Sequence, residues 1–97
     1  MAIDMSANPW SIPYGDAGAT AIWEGEIWIS RLLWHEPTTS AHTLSVTDKN
    51  GKVIWNKTAL AGGAGLDYDL KVDGIFNGLI VPTMQSGTLY VYLEQTP

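Results

Sequence analysis

The sequence predicts an all-β fold, a small antiparallel β-sandwich or barrel of about six to eight strands. Three observations point there. No window of a dozen residues keeps its apolar side chains at a 3.6-residue helical period. Short alternating segments rich in Val, Ile, Thr, Tyr and Trp recur instead, separated by turn residues. The turn with the clearest chemistry, "DKNG", stands between two such segments, as a hairpin requires. A chain of 97 residues suits a single domain with a thin core.

Taken in order, the first dozen residues carry Pro9 and Pro13 and read as extended and poorly self-sufficient. The predicted division is an extended N-terminal arm over 1–14 and one β-sandwich domain over 15–97. Trp10, beside Pro9, would anchor that arm on a neighbour. "PYGDAGATA" reads as a flexible joint.

The next stretch, "WEGEIWISRLLWHE", holds Trp23, Trp28 and Trp34 of a total of five tryptophans. It has no turn residue between Glu26 and Glu36, which predicts one strand of about ten residues, long for a domain of this size. One parity carries Ile27, Ile29, Arg31, Leu33 and His35; the other carries Glu26, Trp28, Ser30, Leu32, Trp34 and Glu36. Large apolar groups fall on both faces, out of place for a sheet with one wet side. A bulge near Arg31–Leu32 would switch parity and gather Ile27, Ile29, Leu32 and Trp34 on one side. Trp28 and Leu33 would remain on the other. Such a strand is either central in a sandwich with something packed on its back or lies against another subunit.

"HTLSVTDKNGKVIWNKTA" predicts a hairpin. Leu44 and Val46 alternate with Thr43, Ser45 and Thr47, Asn50-Gly51 tolerate positive φ, and Val53 to Trp55 begin the return strand. Trp55, opposite the partner strand, is expected in the core. "LAGGAG" then reads as a loop joining two halves of the domain, and "LDYDLKV" as a weaker strand. "NGLIVPT", stopped by Pro82, is expected to pair with "TLYVYLEQ" through the turn "MQSG". In the last of these Leu89, Val91 and Leu93 point one way and Thr88, Tyr90, Tyr92 and Glu94 the other.

Composition excludes several function classes. Five basic against ten acidic residues give a net charge of −5, which cannot build the basic patch that nucleic-acid phosphates or anionic lipid require. No run of about 18 apolar residues spans a bilayer. "MAIDMSANPW" lacks the positive start and apolar run of a signal peptide, and with no cysteine the sequence fits assembly in a cytoplasm. Charged residues are only 15% of the chain against a usual quarter. The remaining surface must be covered by small polar residues or by other chains.

No constellation carries an enzyme signature. "HEPTTSAH", with His35, Glu36 and His42, lacks the HExxH spacing, and Pro37 breaks any helix that would align the ligands. "DYDLKVDG" places Lys71 where a calcium loop needs an oxygen ligand. Neither "ISR" nor "QSG" has a nucleophile-elbow context, and "GGAG" lacks the Lys-Ser/Thr of a phosphate loop. The expectation is a protein that is not an enzyme and takes no cofactor or metal. The aromatics are the candidates that remain. Trp and Tyr on an exposed sheet stack on sugars or dominate protein interfaces. The Ile, Leu and Glu neighbours of Trp28 and Trp34 favour protein packing. The expected contact set is Trp10, Trp23, Trp28, Leu33 and Trp34, with Trp34 assigned by parity to the core and Trp23 and Trp28 to the contact.

Several segments together resemble the small all-β virion proteins encoded in the structural-gene blocks of tailed bacteriophages. They are Asn8-Pro9, Ile12-Pro13, Gly15–Thr20, Asp48–Val53 and Gly78–Leu93, spread along most of the chain. The resemblance implies a capsid decoration or cement protein that binds the outer shell, typically at local symmetry axes and often as a trimer. Its partners would be the major capsid protein and sister subunits, and its place the capsid exterior after assembly in the host cytoplasm. It transfers no catalytic residues. The rival expectations are a carbohydrate-binding module and a tail or head–tail joining component.

Overall fold

The computed structural model describes residues 3–6, 8–16, 18, 21–38, 41–59 and 67–95. Six antiparallel strands run through them: β1 (Trp10–Pro13), β2 (Trp23–His35), β3 (Thr43–Thr47), β4 (Val53–Thr58), β5 (Asp67–Met84) and β6 (Thr88–Gln95). A single 3₁₀ turn, Tyr14–Asp16, is the only helical element among the described residues. The strands form one sheet in the order β1-β6-β2-β5-β3-β4, consistent with a sandwich or barrel that does not close. The edges are β1 and β4, and β2 lies at the centre between β6 and β5.

The shape comes from β5. At 18 residues it is too long to serve one partner, and it serves two. From Asp67 to Leu79 it pairs with β2, and from Ile80 to Met84 it pairs with β3. Just before the changeover stands Gly78, whose φ is +95°. A Cβ there would lie 2.8 Å from the Lys49 Cβ and 2.9 Å from the Trp23 carbonyl oxygen. Only glycine supplies both the left-handed backbone and the space. Burial changes phase at the same point: Phe76 faces inward, and then Gly78 and Leu79 are both buried. Beyond it Val81 and Met84 join Leu44 and Val46 of β3 in the core that β1, β2 and β6 line from the other side.

That core is one cluster. Ile12, Ile29, Leu32, Trp34, Val46, Leu79, Val81, Leu89 and Val91 are fully buried within it. Trp34 is the largest, and its polar atom is satisfied: the indole N–H donates to the Ser86 carbonyl at 2.8 Å. The ring packs against the turn at Gly87, where a Cβ would come 2.9 Å from the indole nitrogen and 2.6 Å from the His35 carbonyl oxygen. Ser86 ties in the neighbouring loop as well, its hydroxyl accepting from the Thr38 amide at 2.9 Å and lying 2.9 Å from His42 Nδ1.

The predicted hairpin is β3–β4. Asp48 organises its turn: one carboxylate oxygen accepts from the amides of Asn50 at 2.8 Å and Lys52 at 2.9 Å. Positive φ falls on Gly51 alone of the Asn-Gly pair. β6 spans the residues expected of it, with Leu89, Val91 and Leu93 buried. "LDYDLKV" is the first part of β5. Trp55 is half-buried against the core rather than within it, because β4 is an edge strand.

Two expectations are corrected. "NGLIVPT" does not pair with "TLYVYLEQ", since β2 lies between β5 and β6. The bend at Gly78 turns the end of β5 away from β2 and onto β3, so its nearest sequence neighbour is not its sheet neighbour. The residues assigned to a free arm include β1, which pairs with β6 from Trp10↔Val91 to Pro13↔Thr88, with Trp10 and Ile12 buried. The arm is extended, as read, but its last third belongs to the domain. Asn8 lengthens this ladder with its side chain: Nδ2 donates to the Leu93 carbonyl at 2.8 Å and Oδ1 accepts from the Leu93 amide at 2.9 Å. One carboxamide thus does what an extra strand residue would do. The glycine loop "LAGGAG" and Ala17, Ala19 and Thr20 of the joint lie outside the described residues.

Two outcomes are expected. Gly51→Ala, at φ +87° but with nothing within 4 Å of its new methyl, loses about 1–2 kcal/mol for the left-handed backbone alone. Gly78→Ala adds a steric clash with backbone and loses more, so its urea midpoint falls further. Asn8→Ala leaves both Leu93 backbone groups without their partner and lowers the unfolding free energy by about 1–3 kcal/mol, read from the same denaturation curves.

Candidate functional site

The outer face of the sheet is built by the parity break in β2. Both ladders of this strand slip in register between Ile29 and Arg31. The irregularity lies next to the bulge expected from the sequence, and its effect is the one expected: Ile27, Ile29, Leu32 and Trp34 are all buried. The residues left over look outward. Trp28 is 41% exposed, directly opposite Ile75 of β5, which is 56% exposed. Leu33 is half-buried, between Asp69 on β5 and Tyr90 on β6.

The five contact candidates therefore divide. Trp10 and Trp34 are buried in their own domain and are not available to another chain. For Trp10 this overturns its role as an anchor on a neighbour, because pairing of β1 with β6 turns its ring inward. Trp23 is half-buried: its ring stacks at 5.7 Å, tilted, on Trp10, and its indole N–H donates to the Glu26 carbonyl at 3.3 Å. Leu33 is half-buried, and Trp28 is exposed. Only Trp28 and, in part, Leu33 and Trp23 reach solvent.

Beside this apolar pair lies a polar, aromatic half of the same face. The Arg31 guanidinium stands 4.2 Å above the Tyr92 ring and 3.4 Å from an Asp69 carboxylate oxygen. His35 Nδ1 is 2.6 Å from Asp67 and Nε2 is 3.3 Å from Glu36, with its ring edge-on to Tyr90 at 5.8 Å. The Arg31 and Asp69 side chains are 41% and 48% exposed, so their pairing contributes at most about 1 kcal/mol. A cation over an exposed ring adds about 0.5–1 kcal/mol. These contacts hold side chains in place more than they stabilise the domain. A face already ordered in this way loses less side-chain entropy when something binds it.

Ile75, Arg31, Tyr92 and Asp69 were absent from the contact set read from the sequence. A signal for Ile75 existed: in "DYDLKVDGIFN" the outward parity reads Asp67, Asp69, Lys71, Asp73, Ile75, Asn77, a single aliphatic in a polar row. The cross-strand partnership of Trp28 with Ile75 carried no such signal, because register between distant strands is not a local property.

Concave features are slight. A depression of about 390 Å³ lies on the β3–β4 side, lined by Thr43, Ser45, Asn56, Lys57, Thr58 and Thr83. Another of about 290 Å³ lies between Tyr14, His35, Glu36 and Gly87. Both are open. Among the described residues no group of three or more His, Cys, Asp or Glu side chains is placed to hold a metal ion. No family model matches the chain, and neither the curated proteins nor the solved structures searched contain a match.

The two halves of β2 should respond differently to truncation. Leu32→Ala, in the core, costs about 2–5 kcal/mol. Trp28→Ala and Ile75→Ala, on the outer face, each cost the isolated domain less than about 1 kcal/mol, as thermal and urea unfolding of the three variants will register.

Proposed function

We propose that this chain is a structural protein of a tailed-phage virion, a decoration or cement protein that fastens to the outer capsid shell by protein–protein contact. The observation that carries the reading is the exposed Trp28–Ile75 pair beside an ordered polar and aromatic patch on the same sheet face. The resemblance of the turn and strand segments to small phage virion proteins supports it. So do the acidic charge, the absent cysteine and the few charged residues. Under this reading the partners are the major capsid protein and sister subunits, with a trimer favoured. The protein acts without a cofactor and without catalysis.

Magnitudes argue for repetition. Burying the exposed parts of Trp28 and Ile75 contributes roughly 3–5 kcal/mol at about 25 cal/mol per Å². Association costs on the order of 4–15 kcal/mol in lost freedom. One such contact does not hold two proteins together. Several copies joined to one another and seated on a repeating shell gain from effective concentration, which multiplies weak contacts without new ones.

A second reading, a carbohydrate-recognition module, draws on one specific observation. The Trp28 face also carries Arg31, Asp69 and Tyr92, hydrogen-bonding groups beside an aromatic platform. A tail or head–tail joining component uses the same contact chemistry as decoration.

In the favoured reading, Trp28→Ala weakens capsid binding or self-assembly at least about tenfold while its melting temperature stays near that of the parent. Light-scattering mass, alone and with capsids, measures the first and calorimetry the second. Equal losses in both would make Trp28 a stability residue and sink the contact reading. A parent chain that stays monomeric and does not bind capsids would sink decoration, and tryptophan quenching by polysaccharide without a change of mass would favour the sugar module.

A further inference from the structure

We propose that Asn50, at the tip of the β3–β4 hairpin, is a site of spontaneous deamidation, and that the fold selects it over the chain's other Asn-Gly pair. Four asparagines are present, and two of them, Asn50 and Asn77, precede a glycine. Asn8 precedes Pro9, which has no amide nitrogen to react, and Asn56 precedes Lys57, whose side chain crowds the approach. Glycine, with no Cβ, leaves its nitrogen open to the preceding carboxamide.

The chemistry needs only water. The Gly51 backbone nitrogen gives up its proton and attacks Asn50 Cγ. The new C–N bond closes a five-membered succinimide, the Cγ–Nδ2 bond breaks, and the nitrogen leaves as ammonia. Water then opens the ring at either carbonyl, giving aspartate or isoaspartate at this position. Nothing is oxidised or reduced. The reaction requires rotation of the Asn50 backbone until the next nitrogen reaches its own carboxamide.

Local structure decides which asparagine can make that rotation. Asn77 is inside β5, paired with Glu26, and its carbonyl accepts from the Lys49 amide at 3.0 Å. Gly78 beyond it is buried against Lys49 and the Trp23 carbonyl, with no space for even a Cβ. The Asn77 backbone is free to rotate only after the β2–β5 ladder opens, and that ladder is central to the sheet. Asn50 and Gly51 are exposed, lie outside both strands, and Gly51 has nothing within 4 Å of its open side. Their restraints are local to the turn. The Gly51 amide donates to the Asp48 carbonyl at 3.1 Å, and the Asn50 amide donates to the Asp48 carboxylate at 2.8 Å. Opening a hairpin tip costs far less than opening a central ladder. The isoaspartate product lengthens the turn backbone by one methylene and places a new carboxylate beside Asp48.

The test is an incubation of the full chain in mildly alkaline buffer, followed by peptide mass spectrometry with Asn50 and Asn77 in separate peptides. Hydroxylamine, which cleaves at the succinimide, provides an independent readout of position. In the folded chain Asn50 converts at least about tenfold faster than Asn77, and in urea the two rates come within about threefold. Equal rates in the folded chain would overturn the proposal. So would an Asn50 that reacts only in urea, and so would a tenfold preference that persists in urea, which would assign the selectivity to local sequence instead of fold.

Discussion

A single backbone constraint underlies the architecture: β5 must leave one partner and take another without breaking. It does so between Leu79 and Ile80, just after Gly78, where the chain adopts a left-handed conformation against Lys49 and Trp23 with no space for a side chain. Everything on the far side of that residue depends on the turn. β3 finds its partner in the last third of β5, the hairpin is carried along with it, and Leu79, Val81 and Met84 come to face the residues of β2 and β6. A straight β5 would leave Leu44 and Val46 without a core to enter. The domain has no disulfide, so packing across this bend is the means of holding its two parts together.

The outer face follows from the same economy of strands. Because β2 is central, it needs a core side; because it slips register near Ser30, its core side changes parity and strands Trp28 on the other. The exposed tryptophan is thus a consequence of a defined irregularity. Bulges re-aim side chains, and here one keeps Ile27 and Ile29 before it and Leu32 and Trp34 after it in the core while Trp28 faces outward. Arg31 follows the slip and is held by Tyr92 and Asp69. The aromatic and charged neighbours of the pair thus contact one another within the chain.

Much of this was legible in the sequence, and the limits were physical. Strand identity and facing are local properties: alternation placed β6 at its true bounds, Asn50-Gly51 located the hairpin, and parity sorted Ile27, Ile29, Leu32 and Trp34 into the core. Sheet order is not local. Nothing near residues 77–83 announces that β2 intervenes between them and β6. Trp10 misled because a proline-flanked tryptophan in an extended segment reads the same whether it is anchored in its own domain or another. Three turn and strand residues have clear structural roles. Asn8 closes onto Leu93, Gly87 makes space for the Trp34 ring, and Gly78 bends β5. These residues build the fold, whereas the exposed Trp28 and Ile75 lie on its outer face.

The position of β6 has a consequence for how the chain comes together in time. It is the last strand in sequence, yet it fills the gap between the first strand and the central one. Until Thr88–Gln95 is available, β1 has no ladder and one edge of β2 is open. A ribosome-bound chain lacking these residues therefore holds Trp10, Ile12, Leu32 and Trp34 without the strand that covers them. Pairings between such distant segments form late and slowly, and an open apolar edge is a template for other chains. The sheet closes only once Thr88–Gln95 has been made, so protein truncated before this strand would be left with an aggregation-prone edge.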